Sequence, residues 1–211
     1  MNMKKLIVSI FLFVCALHLC AQFKPMADVE RFNSELAAEA QNLRSIESDF
    51  VQQKYLDVFD EMILSEGKFF YKSENKIRME YSKPLDYLIV INGAKLKIVS
   101  DRKKNVMNLS ANKMMNQMQD MLTACMVGDL SRLTADYELA YYEDSKYYEV
   151  RIKPVNKTIR SYIVEIVIHI DKENMSVDKL RLSETETNYT EYLFRNKRFN
   201  SLTDESIFEV R

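Results

Sequence analysis

Glycine, histidine and tryptophan are scarce in this sequence, whose 211 residues include three glycines, two histidines and no tryptophan. Phosphate and dinucleotide loops need clustered glycines, and neither those patterns nor a G-x-S-x-G nucleophile pattern occurs. A zinc site needs several cysteine, histidine or carboxylate ligands at a recognised spacing, which is also missing. The sequence therefore predicts no catalytic residues, no metal site and no cofactor. His169, the one histidine after residue 21, alternates with apolar residues and is expected at the surface.

Cysteine is scarce as well, and Cys15 and Cys20 lie in an N-terminal segment that we expect to be removed. Cys125 then has no partner for a disulfide and is expected to be a small buried apolar residue. The formal net charge of −1 predicts no basic surface for nucleic acid. With 47% hydrophobic and 29% charged residues, the chain is expected to fold around its own apolar core.

Residues 1–21 have the pattern of a cleaved signal peptide. The basic start "MNMKK" precedes an apolar run that is shorter than the roughly 20 residues of a membrane-spanning helix, and Ala21 suits a cleavage site. A lipoprotein signal ending at Cys20 is disfavoured because Leu19, rather than a small residue, precedes the cysteine. A permanent anchor is the third alternative. We expect export of the chain and one mature domain over residues 22–211.

Two segments have the three- and four-residue apolar spacing of amphipathic helices. The first covers residues 28–44, with Asp28 as its N-cap and Phe32 and Leu36 on its apolar face. The second covers residues 111–127 and ends at Gly128, which suits a left-handed C-cap. Its apolar stripe contains Met114, Met118, Met121, Leu122 and Cys125.

Between the helices the apolar spacing changes to two, which is typical of strands with one wet face. Lysines and other polar residues alternate with the apolar set, and Asn92 and Gly93 are expected to form a two-residue hairpin turn. The side chains predicted on the apolar face are Ile46, Ser48, Phe50, Gln52, Phe69, Tyr71, Ile77, Met79, Tyr81, Leu96 and Ile98.

Strand patterns return after the second helix. They predict a hairpin that turns near Asp144 and Ser145, a strand over residues 160–171, two further strands, and a closing segment "SIFEVR". Tyr162 and Val164 are predicted on the apolar face of the 160–171 strand. The fold class predicted is α+β: one long, curved antiparallel sheet with a helix before it and a helix inserted in it.

A curved sheet must cover its apolar face. Fixed side chains would make an ordinary core, whereas movable helices would make a cavity. Methionine is flexible and repacks around different apolar partners, so the methionine stripe is compatible with either alternative.

Several segments, in order, resemble the outer-membrane lipoprotein carrier protein (LolA) family. The resembling pieces are "DFVQQK" (49–54), "SEGKFFYK" (65–72), "KIRMEYSKPLDYLIVINGAKLKIVSD" (76–101) and the closing "FNSLTDESIFEV" (199–210). The resemblance covers roughly residues 28 to 210. It implies a half-open antiparallel β-barrel whose concave apolar face is covered by helices, and a carrier rather than an enzyme.

In this family the cavity receives the acyl chains of lipoproteins from an inner-membrane ABC transporter of the lipoprotein-releasing type and delivers them across the periplasm to the outer membrane, where an acceptor is possible. Two sets of residues are assigned on that resemblance. The expected cavity lining is Ile46, Phe50, Phe69, Tyr71, Ile77, Met79, Tyr81, Leu96 and Ile98. The expected lid is Phe32, Leu36, Met114, Met118, Met121 and Leu122.

The sequence departs from the family at two positions. Lys72, Ser73 and Glu74 stand where the family often has Lys-Arg-Pro, so the arginine that helps to latch the lid is absent. Met79 stands in place of the usual tryptophan. Alternative functions are carriage of another lipid or glycolipid, a lipoprotein-sensing module of the same fold that does not shuttle, and an exported hydrolase using scattered carboxylates.

Overall fold

The computed structural model describes residues 23–100, 103–111, 113–133 and 136–211, so the predicted signal peptide lies outside the described residues. Within the described chain, twelve strands form one antiparallel sheet that is not closed, accompanied by three α-helices. The α+β fold class and the half-open antiparallel barrel are therefore confirmed.

The described helices are α1 (Val29–Asn42), α2 (Lys113–Val127) and the single turn α3 (Lys157–Arg160). The described strands are β1 (Lys24–Pro25), β2 (Ser45–Leu56), β3 (Glu61–Lys72), β4 (Lys76–Lys83), β5 (Tyr87–Asn92), β6 (Lys95–Ser100), β7 (Lys103–Asn108), β8 (Tyr137–Glu143), β9 (Tyr147–Pro154), β10 (Glu165–Asp171), β11 (Val177–Ser183) and β12 (Tyr189–Phe199).

The sheet consists of two meanders joined in the middle. Its order is β1-β8-β9-β10-β11-β12-β2-β3-β4-β5-β6-β7, so β12 pairs with β2 and short β1 and β7 form the edges. Both predicted helix caps are confirmed: Arg31 N donates to Asp28 Oδ1 at 2.9 Å, and Gly128 has a φ of +81°. The cap at Gly128 lets α2 end over the sheet.

Three local predictions are wrong. The segment 160–171 is not one strand, because α3 and its following turn occupy its start and leave Tyr162 and Val164 exposed. Asn92 stays in β5 and pairs with Lys95, so the hairpin loop is 93–94 and Gly93 supplies the positive φ. The closing segment forms a 3₁₀ turn, Ser206–Phe208, rather than a strand.

Residues 201–211, which we call the C-terminal strap, cross the convex face of the sheet. Phe208 is fully buried, and Arg78 Nη1 and Asn92 Nδ2 donate to the strap carbonyls of Ile207 and Phe208 at 2.7 Å and 3.2 Å. Glu205 accepts from Lys72 and Lys76, which lowers the pKa of its carboxyl to about 2. The strap thus covers the side of the sheet opposite to the predicted cavity.

His169 is not the surface residue that the sequence predicts. Its side chain lies on the convex face of β10, with Nε2 at 2.9 Å from Oε2 of the buried Glu149 and its ring beside Phe23. Burial lowers the pKa of His169, although the bond to Glu149 opposes this. The polar partner comes from the neighbouring strand β9, which local sequence could not show.

Candidate functional site: a concave apolar wall and its helices

The strand register brings all nine predicted lining residues to the concave face of the sheet. Directly opposed residues point to the same side, so each set of pairs forms a row across the strands. One row runs through Ile46, Tyr71, Ile77, Ile91 and Leu96, the next through Ser48, Phe69, Met79, Ile89 and Ile98, and a third through Phe50, Gly67, Tyr81 and Tyr87. We call the nine predicted residues the apolar wall.

The apolar wall is almost fully shielded from solvent in this state. Seven of its nine members are at most 5% exposed, while Leu96 and Ile98, towards the sheet edge, are half-buried. Phe50 packs against the Tyr81 ring and Phe69 against Phe194, with ring centroids at 4.9 Å and 5.3 Å. The covering elements therefore close the wall off from solvent.

The predicted cavity lining covers only one half of the concave face. Apolar side chains of β9 to β12 continue it and are buried in the same core: Val150, Ile152, Ile166, Ile168, Leu180 and Phe194. Their alternation was visible in the sequence. The missing information was that β12 pairs with β2, which makes the two halves one surface.

Helix α1 covers this second half as well as the wall. Phe32 is buried and its ring centroid lies 4.7 Å from that of Tyr148 in β9, so this predicted lid residue covers the far half of the sheet. Leu36 is also buried and packs near Gly128 and Ile46. Helix α1 therefore crosses the concave face near the end of the sheet where β2 begins.

Helix α2 is buried more deeply than its predicted stripe implies. Of the predicted lid residues on this helix, Met121 is buried, whereas Met114, Met118 and Leu122 are half-buried. The residues after Met121 and Leu122 are buried on every side: Thr123, Ala124, Cys125, Met126 and Val127. Burial raises the pKa of the Cys125 thiol to about 12, in agreement with its predicted role as an apolar residue.

Two polar atoms between helices and sheet are left unpaired in this closed arrangement. Gln119 Nε2 donates to Gly93 O at 3.0 Å, which ties α2 to the β5–β6 turn, but Gln119 Oε1 is buried without a partner among the described residues. Ser48 Oγ, in the middle row of the concave face, is likewise buried and unpaired within the described chain. A buried polar atom without a partner costs about 1–3 kcal/mol where no water reaches it.

Asn200 secures the end of α1. Its Oδ1 accepts from the backbone N–H groups of Arg44 and Ser45 at 2.7 Å and 3.2 Å, and its Nδ2 donates to Asn42 O at 3.2 Å. The side chain thus joins the C-terminus of α1 to the start of β2. Ser73 contributes only its backbone N–H, which donates to Arg44 O at 2.8 Å.

Replacing Asn200 by glycine is expected to loosen α1 without changing the backbone, since glycine accepts the φ of +56° found there. Loss of the three side-chain bonds should lower the free energy of unfolding by about 1–2 kcal/mol. Amide hydrogen exchange in α1 should become faster. Asn196→Gly is the matched control, because Asn196 has a φ of +54° but bonds to Asp49 on the convex side. Equal exchange rates in both variants would contradict the role of Asn200.

A cleft of about 180 Å³ opens at the C-terminal end of α1. Apolar side chains dominate its lining, which includes Leu36, Leu43, Ile46, Met175 and Phe199. The cleft therefore lies between the C-terminal end of α1 and Ile46 of the apolar wall.

The opposite end of the concave face is polar, and Lys54 and Glu184 form an ion pair at 3.3 Å beyond its tyrosines. The Tyr81 hydroxyl donates to Gln52 Oε1 at 2.8 Å and lies 3.4 Å from the Tyr192 hydroxyl. Burial raises the pKa of Tyr192 to about 12 and raises that of Tyr81 as well, so both phenols stay neutral at physiological pH. The tyrosine cluster therefore carries no charge of its own.

Among the described residues, no group of three or more histidine, cysteine or acidic side chains is placed to hold a metal ion. The helices in the described part of the chain are too short or too polar to cross a membrane.

Comparison with known proteins gives one family and a set of distant structures. The family model described as "Outer membrane lipoprotein carrier protein LolA" matches residues 41–211. No curated protein sequence matches the chain.

Three solved structures illustrate the structural likeness. A DUF1329 family protein from Desulfovibrio piger has 12% identity and a TM-score of 0.49, over 87% of this chain and 98% of that one. A LolA superfamily protein from Nitrosomonas europaea has 9% identity and a TM-score of 0.42, over 84% and 97%. The lipoprotein LppX from Mycobacterium tuberculosis has 7% identity and a TM-score of 0.44, over 84% and 99%.

Proposed function

Since this chain belongs to the outer membrane lipoprotein carrier protein (LolA) family, we propose that it is a periplasmic carrier that holds lipoprotein acyl chains against the apolar wall and moves lipoproteins from the inner to the outer membrane. Members of the family bind lipids or lipoproteins, are periplasmic, and are carrier or binding proteins rather than enzymes. The observation that carries the proposal is a continuous apolar wall covered by helices, one of them rich in methionine.

The physical need for such a wall follows from the cargo. Each buried methylene contributes about 0.8 kcal/mol, so the chains of a lipoprotein do not cross water unshielded. Delivery also requires release, and a methionine-rich cover supports both because it can pack on a chain or on the empty wall. Met118 and Met121 of α2 are the side chains proposed to exchange partners in this way.

The proposed binding step is an outward movement of α1 and α2. The buried wall leaves no other way for a chain to reach Phe69 or Met79. Opening would expose the Ser48 hydroxyl and the Gln119 carbonyl, which could then bond to water or to a polar group of the cargo. The cleft at the end of α1 is the proposed starting point.

The route of the cargo is proposed from the family alone. Residues 1–21 would act as the export signal, an inner-membrane ABC transporter of the lipoprotein-releasing type would be the donor, and an outer-membrane acceptor is possible. The arginine that latches the lid in the family is absent from this chain. Here the side chain of Asn200 bonds to the backbone at the end of α1, and that of Gln119 ties α2 to the β5–β6 turn. We propose that these bonds take the place of the arginine in controlling release.

Purification of the native protein from the periplasm, followed by mass spectrometry of bound material, tests the proposal. The expected result is lipoprotein, or lipid with lipoprotein-type acyl chains, in stoichiometric amount. Depletion of the protein in cells should leave lipoproteins in the inner membrane. Recovery of a glycolipid or free fatty acid alone would instead support another lipid cargo. Correct lipoprotein placement after depletion would contradict shuttling and support a sensing module.

A further inference from the structure

One end of the sheet carries most of the exposed apolar side chains. Among the described residues, eleven large hydrophobic side chains are exposed, and eight of them lie at the end where β2 stops and β3 starts. Exposed apolar side chains scattered singly need no explanation, but their concentration at one end does. We call these eight side chains the apolar rim: Val58, Phe59, Met62, Leu64, Leu85, Val155, Tyr162 and Val164.

The β2–β3 hairpin supplies half of the apolar rim. Val58 and Phe59 at its tip are 83% and 71% exposed, and Met62 and Leu64 are exposed at the start of β3. The tip is held in shape by two bonds: Asp57 N donates to Asn188 Oδ1 at 2.8 Å, and the Tyr55 hydroxyl donates to Asp60 Oδ1 at 3.0 Å. Val58 and Phe59 are thus presented on a structured turn rather than folded back onto the protein.

Strand register places the remaining side chains at the same end. Tyr189 of β12 pairs with Tyr55 of β2 and with Ser183 of β11, and Ser183 pairs with Glu165 of β10. The β9–β10 connection, with exposed Val155, Tyr162 and Val164, therefore lies at the end of the sheet that holds the hairpin tip. Leu85, which is 70% exposed in the β4–β5 turn, completes the apolar rim.

The shape and charge of the apolar rim favour a lipid surface over a fixed protein partner. Leu85, Val155 and Val164 border clefts, but the hairpin part of the rim stands on a turn and the start of a strand and lines none of those clefts. A bilayer deforms around such a projecting turn. Residues 61–65 of β3 extend beyond the last pair with β4, which makes the hairpin the foremost part of the rim on that side. Charges of both signs flank the rim, with Asp57 and Glu61 beside the hairpin tip and Lys157 and Arg160 in α3. Zwitterionic head groups offer partners to both signs.

We infer that the apolar rim docks this protein on the surface of a zwitterionic lipid bilayer, with Val58 and Phe59 entering the boundary between head groups and acyl chains. This binding is distinct from the proposed carrier function, because it uses neither the apolar wall nor the cleft. The cleft lies at the opposite end, beside the β10–β11 turn, and stays away from the docked surface. A few small contacts give weak, reversible attachment, as a protein that visits and leaves membranes requires.

Flotation with vesicles of phosphatidylcholine tests the inference on the mature chain. The protein is expected to float with the vesicles. The double variant Val58→Ser/Phe59→Ser is expected to bind them at least about tenfold more weakly. Val106→Ser/Met107→Ser is the matched control, since these residues are exposed apolar neighbours on the edge strand β7, and it should bind as the parent does. Circular dichroism and melting establish that both variants are folded.

The absence of tryptophan allows a direct readout of insertion. A single tryptophan introduced as Phe59→Trp should shift its emission to shorter wavelength on addition of vesicles and be quenched by brominated lipid, whereas Val106→Trp should do neither. Failure of the parent protein to float, or equal binding by the hairpin variant, would overturn the inference. So would flotation restricted to anionic vesicles at low salt, or self-association in sedimentation that only the hairpin variant abolishes, which would assign the rim to a second copy of the chain.

Discussion

Alanine at position 67 is expected to lower the free energy of unfolding by roughly 3 kcal/mol or more. A Cβ at Gly67 would lie 2.0 Å from the backbone oxygen of Glu80 and 2.8 Å from Cζ of Phe50. The backbone oxygen cannot move without separating β3 from β4, where the register also shifts beside Gly67. Chemical denaturation measures the loss.

Gly93→Ala is the control for Gly67→Ala, because it tests backbone conformation without a clash. Gly93 has a φ of +55°, and a Cβ there would meet nothing within 4 Å. Its replacement should therefore cost only about 1 kcal/mol. If the two alanine variants were equally stable, the close approach of β3 and β4 at Gly67 would be contradicted. This approach matters for the site because it lets the Phe50 ring lie against the Tyr81 ring.

A polar side chain at position 79 is expected to weaken acyl binding by at least about tenfold, because a bound acyl chain would then bury a polar group that prefers water. Met79 lies in the middle row of the apolar wall and is buried, so Met79→Glu should also destabilise the closed protein. Met79→Gln keeps the length of the side chain without the charge and gives the cleaner comparison. Displacement of a fluorescent long-chain fatty acid measures the affinity.

Glu80→Gln is the matched control for Met79→Gln. It introduces the same amide on the same strand but on the opposite face, where Glu80 pairs with Arg78. Loss of a partly exposed ion pair has little effect on stability and should leave acyl binding unchanged. Unchanged affinity in Met79→Gln, with the fold intact, would remove the wall from the proposed function. Equal losses in both variants would point to a general effect on β4 rather than to the wall.

The fold could be predicted where local pattern and tertiary environment agree. In β3, β4 and β6 the alternation of apolar residues with lysines and other polar residues defines two faces, and the apolar face is buried in β3 and β4 and half-buried in β6. The caps at Asp28 and Gly128 were predictable because they depend only on local backbone geometry. Strand β7 was missed because all six of its residues are exposed, which removes the alternation that identifies a strand.

The sequence predicts which face of the sheet each wall residue lies on, but it does not predict which helix residues cover that face. Side-chain alternation places Phe69 and Met79 on one face, whereas no local rule shows that Phe32 covers Tyr148 on the other half of the sheet. The same limit applies to His169, whose partner Glu149 comes from the neighbouring strand. Whether the nine wall residues bind acyl chains stays a prediction.

The order in which the chain is made has a consequence at the centre of the sheet. Strand β2, among the first to be synthesised, takes as its neighbour β12, the last strand of the chain. Until residue 199 has been synthesised, the backbone N–H and C=O groups along one side of β2 have no partner strand. The meander from β2 to β7 is then an open sheet with an exposed edge strand that can pair with another chain. An incomplete chain thus has to be protected from pairing with another copy of itself along the free edge of β2 until β12 is in place.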